Sequence, residues 1–294
     1  MKQFTLEIAG FYIVLKVDGT FSHFHLPQSY LPFLVEDDPG QAPLFTLRVI
    51  PGSPAAPDGL TPVATGINDM GEARLFVHPD GTYAVALSIF PGSGTRLMNM
   101  NADFTEASVI LDPAEAYAAF TIDSMMRIMF SQAVVAHRAF LLHASAVIAS
   151  GCAALFMGRS GTGKSTHSSL WLEQFSDTSL LNDDNPVVRI LPNGVVMAYG
   201  SPWSGKTPCY RNASAPVSAL VRLRQAPHNK ISVLSDLDAF LAILPGVSVI
   251  THSPRLYDTA CSTVADVAAA TRVALLDCRP DTEAARLCRN TCIV

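Results

Sequence analysis

Gly158-Arg159-Ser160-Gly161-Thr162-Gly163-Lys164-Ser165-Thr166 (GRSGTGKST) has Gly158, Gly163, Lys164 and Ser165 at the fixed places of the spacing G-x-x-x-x-G-K-[ST]. The residue types explain the chemistry of that pattern. Glycines let successive backbone N–H groups turn inward around phosphate oxygens. The lysine reaches the outer phosphates, the serine hydroxyl ligates Mg²⁺, and a helix starting at the last glycine adds its positive N-terminal dipole. The flanks match this reading. CAALFM (152–157) is a short apolar run suited to a buried strand, and HSSLWLEQF (167–175) spaces Leu170, Trp171 and Phe175 as a helix does. Strand, loop and helix are the surroundings that a phosphate loop requires. Ser160, Gly161, Thr162 and Thr166 therefore join the four fixed residues as candidates for nucleotide contact.

The rest of the composition fits a globular chain without an electrostatic footprint for nucleic acid or an anionic membrane. There are 294 residues, 49% hydrophobic and 15% charged, with net charge −5 and scattered Lys and Arg. Six cysteines lack any C-x-x-C spacing, which predicts free thiols and a cytoplasmic location; Cys288 and Cys292 share a helical face and read as packing. Glu7 interrupts the N-terminal apolar run and no small-residue cleavage site follows, so no signal peptide is expected. Ala139–Met157 is nineteen residues long without a formal charge, but the Ala-Ser-Gly break at 149–151 divides it into two buried strands joined by a tight turn.

The periodicity predicts two domains, a β-rich 1–110 and an α/β domain 111–294. Phe4, Leu6 and Ile8 alternate with polar residues, and Ala9-Gly10 turns into FYIVLKV. LFTLRVI (44–50) is a further strand, 51–66 reads as a Pro/Gly-rich loop, and Asp80-Gly81 sits in a hairpin signal between RLFVHP and TYAVALSIF. His23 and His25 would share a strand face on the surface, and Pro91–Gly94 reads as a turn. Asp112-Pro113 is a capping pair opening a long apolar helix to about His137. After the phosphate-loop helix come a short strand ending at Asn182-Asp183-Asp184, a hairpin around Pro192-Asn193-Gly194, the loop GSPWSGK (200–206), a strand SALVRLRQ, helices starting near Ser235 and Arg255, a strand TRVALLDC and a last helix.

A phosphate loop needs an acid for its metal, and two places compete. Asp277 ends an apolar strand. Asp183 and Asp184 follow Lys164 by nineteen and twenty residues, room for a helix and a return strand. Paired acids suit phosphoryl transfer, where one holds metal and the other takes a proton. Lys206, at the end of a glycine-flanked loop, is a candidate to neutralise charge on the phosphoryl group, with Arg211 the weaker candidate. His167 is expected on the first helical turn without chemistry.

FLLHASAVI, GRSGTGKST and LLNDD together resemble the HPr serine kinase/phosphorylase family, and more closely its distant small-kinase relatives; GRSGTGKST is also very like the phosphate loop of phosphoenolpyruvate carboxykinase. The likeness spans roughly 140–189. It implies a P-loop kinase domain of the HPr kinase/phosphoenolpyruvate carboxykinase type, ATP and Mg²⁺ as cofactors, His143 in the active site, Lys164 and Ser165 on nucleotide and metal, and Asp183 and Asp184 as metal ligand and base. Asp183 as ligand and Asp184 as base is the order expected from their positions. Two departures stand out: Thr166 replaces the glutamate usual in HPr kinases, and GSPWSGK occupies the place of their protein-gripping signature. The implied activity is transfer of the γ-phosphoryl group to a hydroxyl of a protein, peptide or small molecule. A nucleotide-binding regulatory module without transfer is the alternative, and no nucleic-acid or membrane partner is expected. Lys164 is expected to face solvent.

Overall fold

The computed structural model describes residues 1–36, 40–68, 70–205 and 207–293. The chain divides into two compact units, Met1–Ala133 and Val134–Val294.

The first unit carries β1 (Lys2–Ile8), β2 (Phe11–Val17), β3 (Phe45–Pro51), β4 (Ala64–Asn68), β5 (Gly71–Val77), β6 (Tyr83–Ser88), β7 (Arg96–Met100), β8 (Glu106–Leu111) and α1 (Ala118–Ala133). The strands form one sheet in the order β1-β2-β3-β8-β7-β6-β5-β4. Period two is visible in β2, where Phe11, Ile13, Leu15 and Val17 are buried and their neighbours half-buried. Ala9 (φ 56°) and Gly10 (φ 74°) make the tight turn into it. Three expectations are corrected here. The stretch after Pro51 is a loop only to about residue 63, because β4 pairs its backbone with β5. His23 and His25 are exposed in irregular chain on either side of the buried Phe24, so they share no strand face. The apolar helix packs on β3, β7 and β8 of the first unit, so the boundary lies after it instead of before it. That helix starts at Ala118 because Asp112 closes a separate turn, its carboxylate accepting from the Ala114 N–H. Around Pro91–Gly94 the carbonyls of Ser93 and Gly94 accept from the buried Arg96 guanidinium, so the turn holds a cation.

The second unit is a mixed α/β sandwich. Its elements are β9 (Ala139–Leu141), β10 (Ala144–Ala149), β11 (Cys152–Met157), α2 (Lys164–Gln174), β12 (Thr178–Asn182), β13 (Val187–Ile190), β14 (Val196–Tyr199), β15 (Ser214–Gln225), β16 (Lys230–Leu234), α3 (Asp236–Ile243), α4 (Pro254–Ala270), β17 (Arg272–Cys278) and α5 (Thr282–Cys292). β10 and β11 are the two buried strands read from the sequence, joined through Ser150 and Gly151 at positive φ. β11, β15 and β17 run parallel, with β10 antiparallel to both β11 and β12. The long β15 also pairs its first residues with β14, which leads to β13 and β9. β16 had no distinct periodic signal; it pairs with β17 at the edge.

Alternation along β11 explains why both faces are covered. Ala153, Leu155 and Met157 pack in a core with α3 and α4, while Ala154 and Phe156 pack in a second core with Trp171 of α2 and Ala285 and Cys288 of α5. A strand buried on both faces reads as a continuous apolar run, as CAALFM does. Cys288 and Cys292 lie in that second core with their sulfurs 3.8 Å apart, and all six cysteines are free. No helix among the described residues is long and apolar enough to cross a membrane.

Candidate functional site

β11 ends at Met157 and α2 begins at Lys164, so 158–163 is the connecting loop. Gly163 occupies the N-cap position at φ 105°, a conformation that L side chains rarely adopt, and among the described residues no side chain caps the helix. The first-turn N–H groups of α2 therefore have no intrahelical acceptor and no capping side chain. The opposite surface of the loop is tied down: Gln225, at the end of β15, donates to the carbonyls of Gly161 (3.2 Å) and Thr162 (3.4 Å). Ser160, Gly161, Ser165 and Thr166 are exposed.

Lys164 does not face solvent. It is 8% exposed, with its Nζ 3.1 Å from the Gly158 carbonyl and 3.0 Å from His143 Nε2. Burial pushes its pKa down, and the carboxylates of Asp184 and Asp183 oppose that shift. The same His143 nitrogen lies 3.3 Å from Asp184 Oδ1. A neutral imidazole nitrogen either accepts from the Lys164 ammonium or donates to the Asp184 carboxylate, so the tautomer of His143 couples the two.

The acid pair is presented by Asn182, the fully buried last residue of β12. Its Oδ1 accepts from the N–H groups of Asp184 (2.9 Å) and Asn185 (2.8 Å), a side-chain-closed turn. Its Nδ2 donates to the Ser201 and Trp203 carbonyls, holding the 200–205 loop beside the turn. Gly205 lets the loop approach closely there: a Cβ would stand 3.1 Å from the Asp183 carbonyl and 3.3 Å from Asp184 Cβ, so a side chain would need the turn to give by a few tenths of an ångström. Lys206, the next residue, lies outside the described residues. The two acids point apart. Asp183 is buried and accepts from Ser145 Oγ (2.9 Å) and, at its other oxygen, from the Thr207 N–H (3.3 Å). The Asp184 side chain is 23% exposed and accepts from Asn185 Nδ2 (2.6 Å) beside His143.

Ser145 and Ser168 were not singled out by sequence, and Asn182 was read as the end of the strand without its part in holding the acid pair. Ser145 and Ser168 hydroxyls are 2.6 Å apart, so Asp183 is linked through Ser145 to the same helix that carries Lys164 and Ser165. The signal for Ser168 was its place one turn after Lys164 and Ser165. Asp277 is occupied elsewhere: both of its oxygens meet Arg224, directly opposite in the β15–β17 register, and that guanidinium holds its carboxyl below the usual range. Arg211 donates to the Leu180 carbonyl (2.6 Å). Among the described residues no group of three His, Cys, Asp or Glu side chains is placed to hold a metal ion by itself.

His167 is buried under α2, accepting from Trp171 Nε1 (3.2 Å) and packed against Phe156. Burial pushes its pKa from 6.5 down to about 4. Between those values the unfolded chain binds more protons than the folded one, so stability falls as pH drops through that window, by about 3 kcal/mol in full. His167→Gln keeps an acceptor for Trp171 without this titration. Its urea-unfolding free energy is expected to lose less than the parent's between pH 6.5 and 4; parallel curves would remove His167 as the cause.

No protein-family model and no curated protein matches the chain. Among solved structures, the HPr(Ser) kinase/phosphatase from Coxiella burnetii matches 51% of this chain and 86% of its own at 11% identity, with a TM-score of 0.29. This is a distant structural likeness.

Proposed function

We propose that the second unit is an ATP- and Mg²⁺-dependent phosphotransferase that passes the γ-phosphoryl group to a hydroxyl of a protein, peptide or small molecule. The observation that carries this reading is the convergence of a phosphate-loop lysine, a histidine and an acid pair at one loop: His143 Nε2 lies within 3.3 Å of both Lys164 Nζ and Asp184 Oδ1. A site that only binds nucleotide has no use for a second acid held beside that histidine. The donor set fits the groups it would take. Uncapped helix N–H groups and an ammonium suit phosphate oxygens, while an exposed serine hydroxyl and a carboxylate are hard oxygen donors suited to Mg²⁺.

Each residue then has a role. Gly158–Gly163 and the start of α2 hold the phosphates. Lys164 pairs with their outer oxygens, leaving the Gly158 carbonyl to do so. Ser165 and Asp183 hold Mg²⁺, which when bound neutralises phosphate charge. Asp184 takes the proton of the attacking hydroxyl, and His143 orients that carboxylate. The motif order His143, phosphate loop, acid pair supports the same assignment. Calorimetry with ATP, with and without Mg²⁺, together with release of labelled γ-phosphate to water, tests the proposal. Mg²⁺-dependent binding with slow release is expected. Binding without release would favour the regulatory module, and no binding would overturn both readings.

A further inference from the structure

Thr207 stands against the acid pair on a segment pinned on both sides. Before it, Asn182 holds the Ser201 and Trp203 carbonyls. After it, the sulfur of the buried Cys209 lies within 3.6 Å of the Leu180 and Leu181 carbonyl oxygens, and Arg211 donates to the Leu180 carbonyl, which ties the chain back to β12. Pro208 disfavours helical backbone at Thr207. Between these anchors the Thr207 N–H donates to Asp183 Oδ2 (3.3 Å).

The other described hydroxyl groups around the acids are committed. Ser145 and Ser168 are buried against each other, and Ser145 also donates to Asp183. Ser201 is buried and donates to the Asn185 carbonyl (2.7 Å). Ser204 donates to the Thr207 carbonyl (2.7 Å). Thr207 itself is exposed. Its hydroxyl is a short covalent reach from a nitrogen that already touches Asp183. Asp183 is the acid assigned to Mg²⁺, whose bonds to oxygen are only about 2.1 Å long. A residue bonded to that carboxylate is therefore a neighbour of any phosphoryl group that shares the ion.

We propose that the chain phosphorylates itself on Thr207. The proposal rests on the phosphotransferase reading and names an acceptor for it. Thr207 Oγ bonds to the γ-phosphorus, the bond from that phosphorus to the β–γ bridging oxygen breaks, ADP leaves, and the hydroxyl proton passes to Asp184, the second acid of the same turn. A phosphate at Thr207 carries about −1.5 to −2 charges beside Asp183, and like charges repel. The transfer therefore weakens the contact that seats this segment on the acids.

Incubation of the full chain with Mg·ATP labelled at the γ-phosphate, followed by mass-spectrometric mapping of the chain, tests the proposal. One phosphoryl group on Thr207 is expected, with a rate constant that does not change when the chain is diluted. Thr207→Ser should keep the label and Thr207→Val should lose it. Each variant keeps the backbone N–H to Asp183, and thermal melts check that both fold. Release of γ-phosphate to water without label on Thr207, or label retained by Thr207→Val, would overturn the proposal while the phosphotransferase stands. A rate constant that rises with chain concentration would overturn transfer within one chain. If the parent neither binds ATP nor releases phosphate, the phosphotransferase reading fails and this proposal with it. A second readout needs no nucleotide. At low salt Thr207→Glu should melt below Thr207→Gln, because Asp183 repels a carboxylate at 207, and the gap should close in the Asp183→Asn background. Equal melts would place the 207 side chain away from the acids and overturn the proposal.

Discussion

Lys164→Ala is expected to weaken Mg·ATP binding about ten- to a hundredfold, the range set by losing a charge-assisted hydrogen bond of roughly 1.5–3 kcal/mol. The fold should survive, for a reason that differs from surface exposure. Lys164 is buried against His143 and the Gly158 carbonyl, and burial holds its pKa below 10.5. A base with a depressed folded-state pKa binds fewer protons folded than unfolded in the window below 10.5. The charged amine therefore opposes folding at neutral pH, and parent stability rises with pH through that window. Lys164→Met, which keeps the stem volume, should accordingly melt no lower than the parent at neutral pH and lose any advantage as pH approaches 10.5. Calorimetric titration and thermal melts read the two effects separately. Undiminished ATP affinity in Lys164→Ala would remove the loop from nucleotide binding, whatever the melts show.

Much of the second unit was legible because each signal there is local. CAALFM, the glycine spacing and the helical spacing of Leu170, Trp171 and Phe175 each depend on a few neighbouring residues, and β11, the loop and α2 follow in that order. Asn182-Asp183-Asp184 was legible as a polar cluster ending a strand for the same reason. What escaped depends on partners distant in sequence. The burial of Lys164 is set by His143, twenty-one residues earlier. The role of Asn182 is set by Ser201 and Trp203, which give its amide somewhere to donate. Ser145 looked like one small residue in an apolar strand until β12 brought Asp183 to it. The helix Ala118–Ala133 shows the limit from the other direction. Its apolar character announced burial correctly for Met125, Met126, Met129 and Phe130, but nothing in a helix names the sheet it packs on. Texture changes sharply at residue 112, and the unit boundary follows the packing, twenty-odd residues later.

Asp184→Asn is expected to have the largest effect on transfer: a loss of about a hundred- to ten-thousandfold in γ-phosphoryl transfer with Mg·ATP affinity kept, the range for removing a positioned general base. The substitution is isosteric, and its amide can still meet its neighbours, with oxygen toward Asn185 Nδ2 and nitrogen toward His143 Nε2. It removes only the ability to take a proton. Asp183→Asn should behave differently. Its oxygen can keep the Ser145 hydroxyl, so the link to Ser168 and α2 survives, but the negative charge offered to the metal is gone. The Mg²⁺ requirement of binding and the transfer rate should fall together. Asp277→Asn serves as the comparison. Its carboxylate is engaged by Arg224, so the Mg²⁺ dependence of ATP binding should not change. The three variants, titrated with Mg²⁺ at fixed ATP and assayed for γ-phosphate release, give three distinct patterns. If Asp277→Asn alone removes the metal requirement, the phosphate loop works with the acid of β17, and the pair at the end of β12 has a structural task. If Asp184→Asn transfers as fast as the parent, the hydroxyl proton leaves by another route, and His143, already within reach of both Lys164 and Asp184, becomes the group to test next.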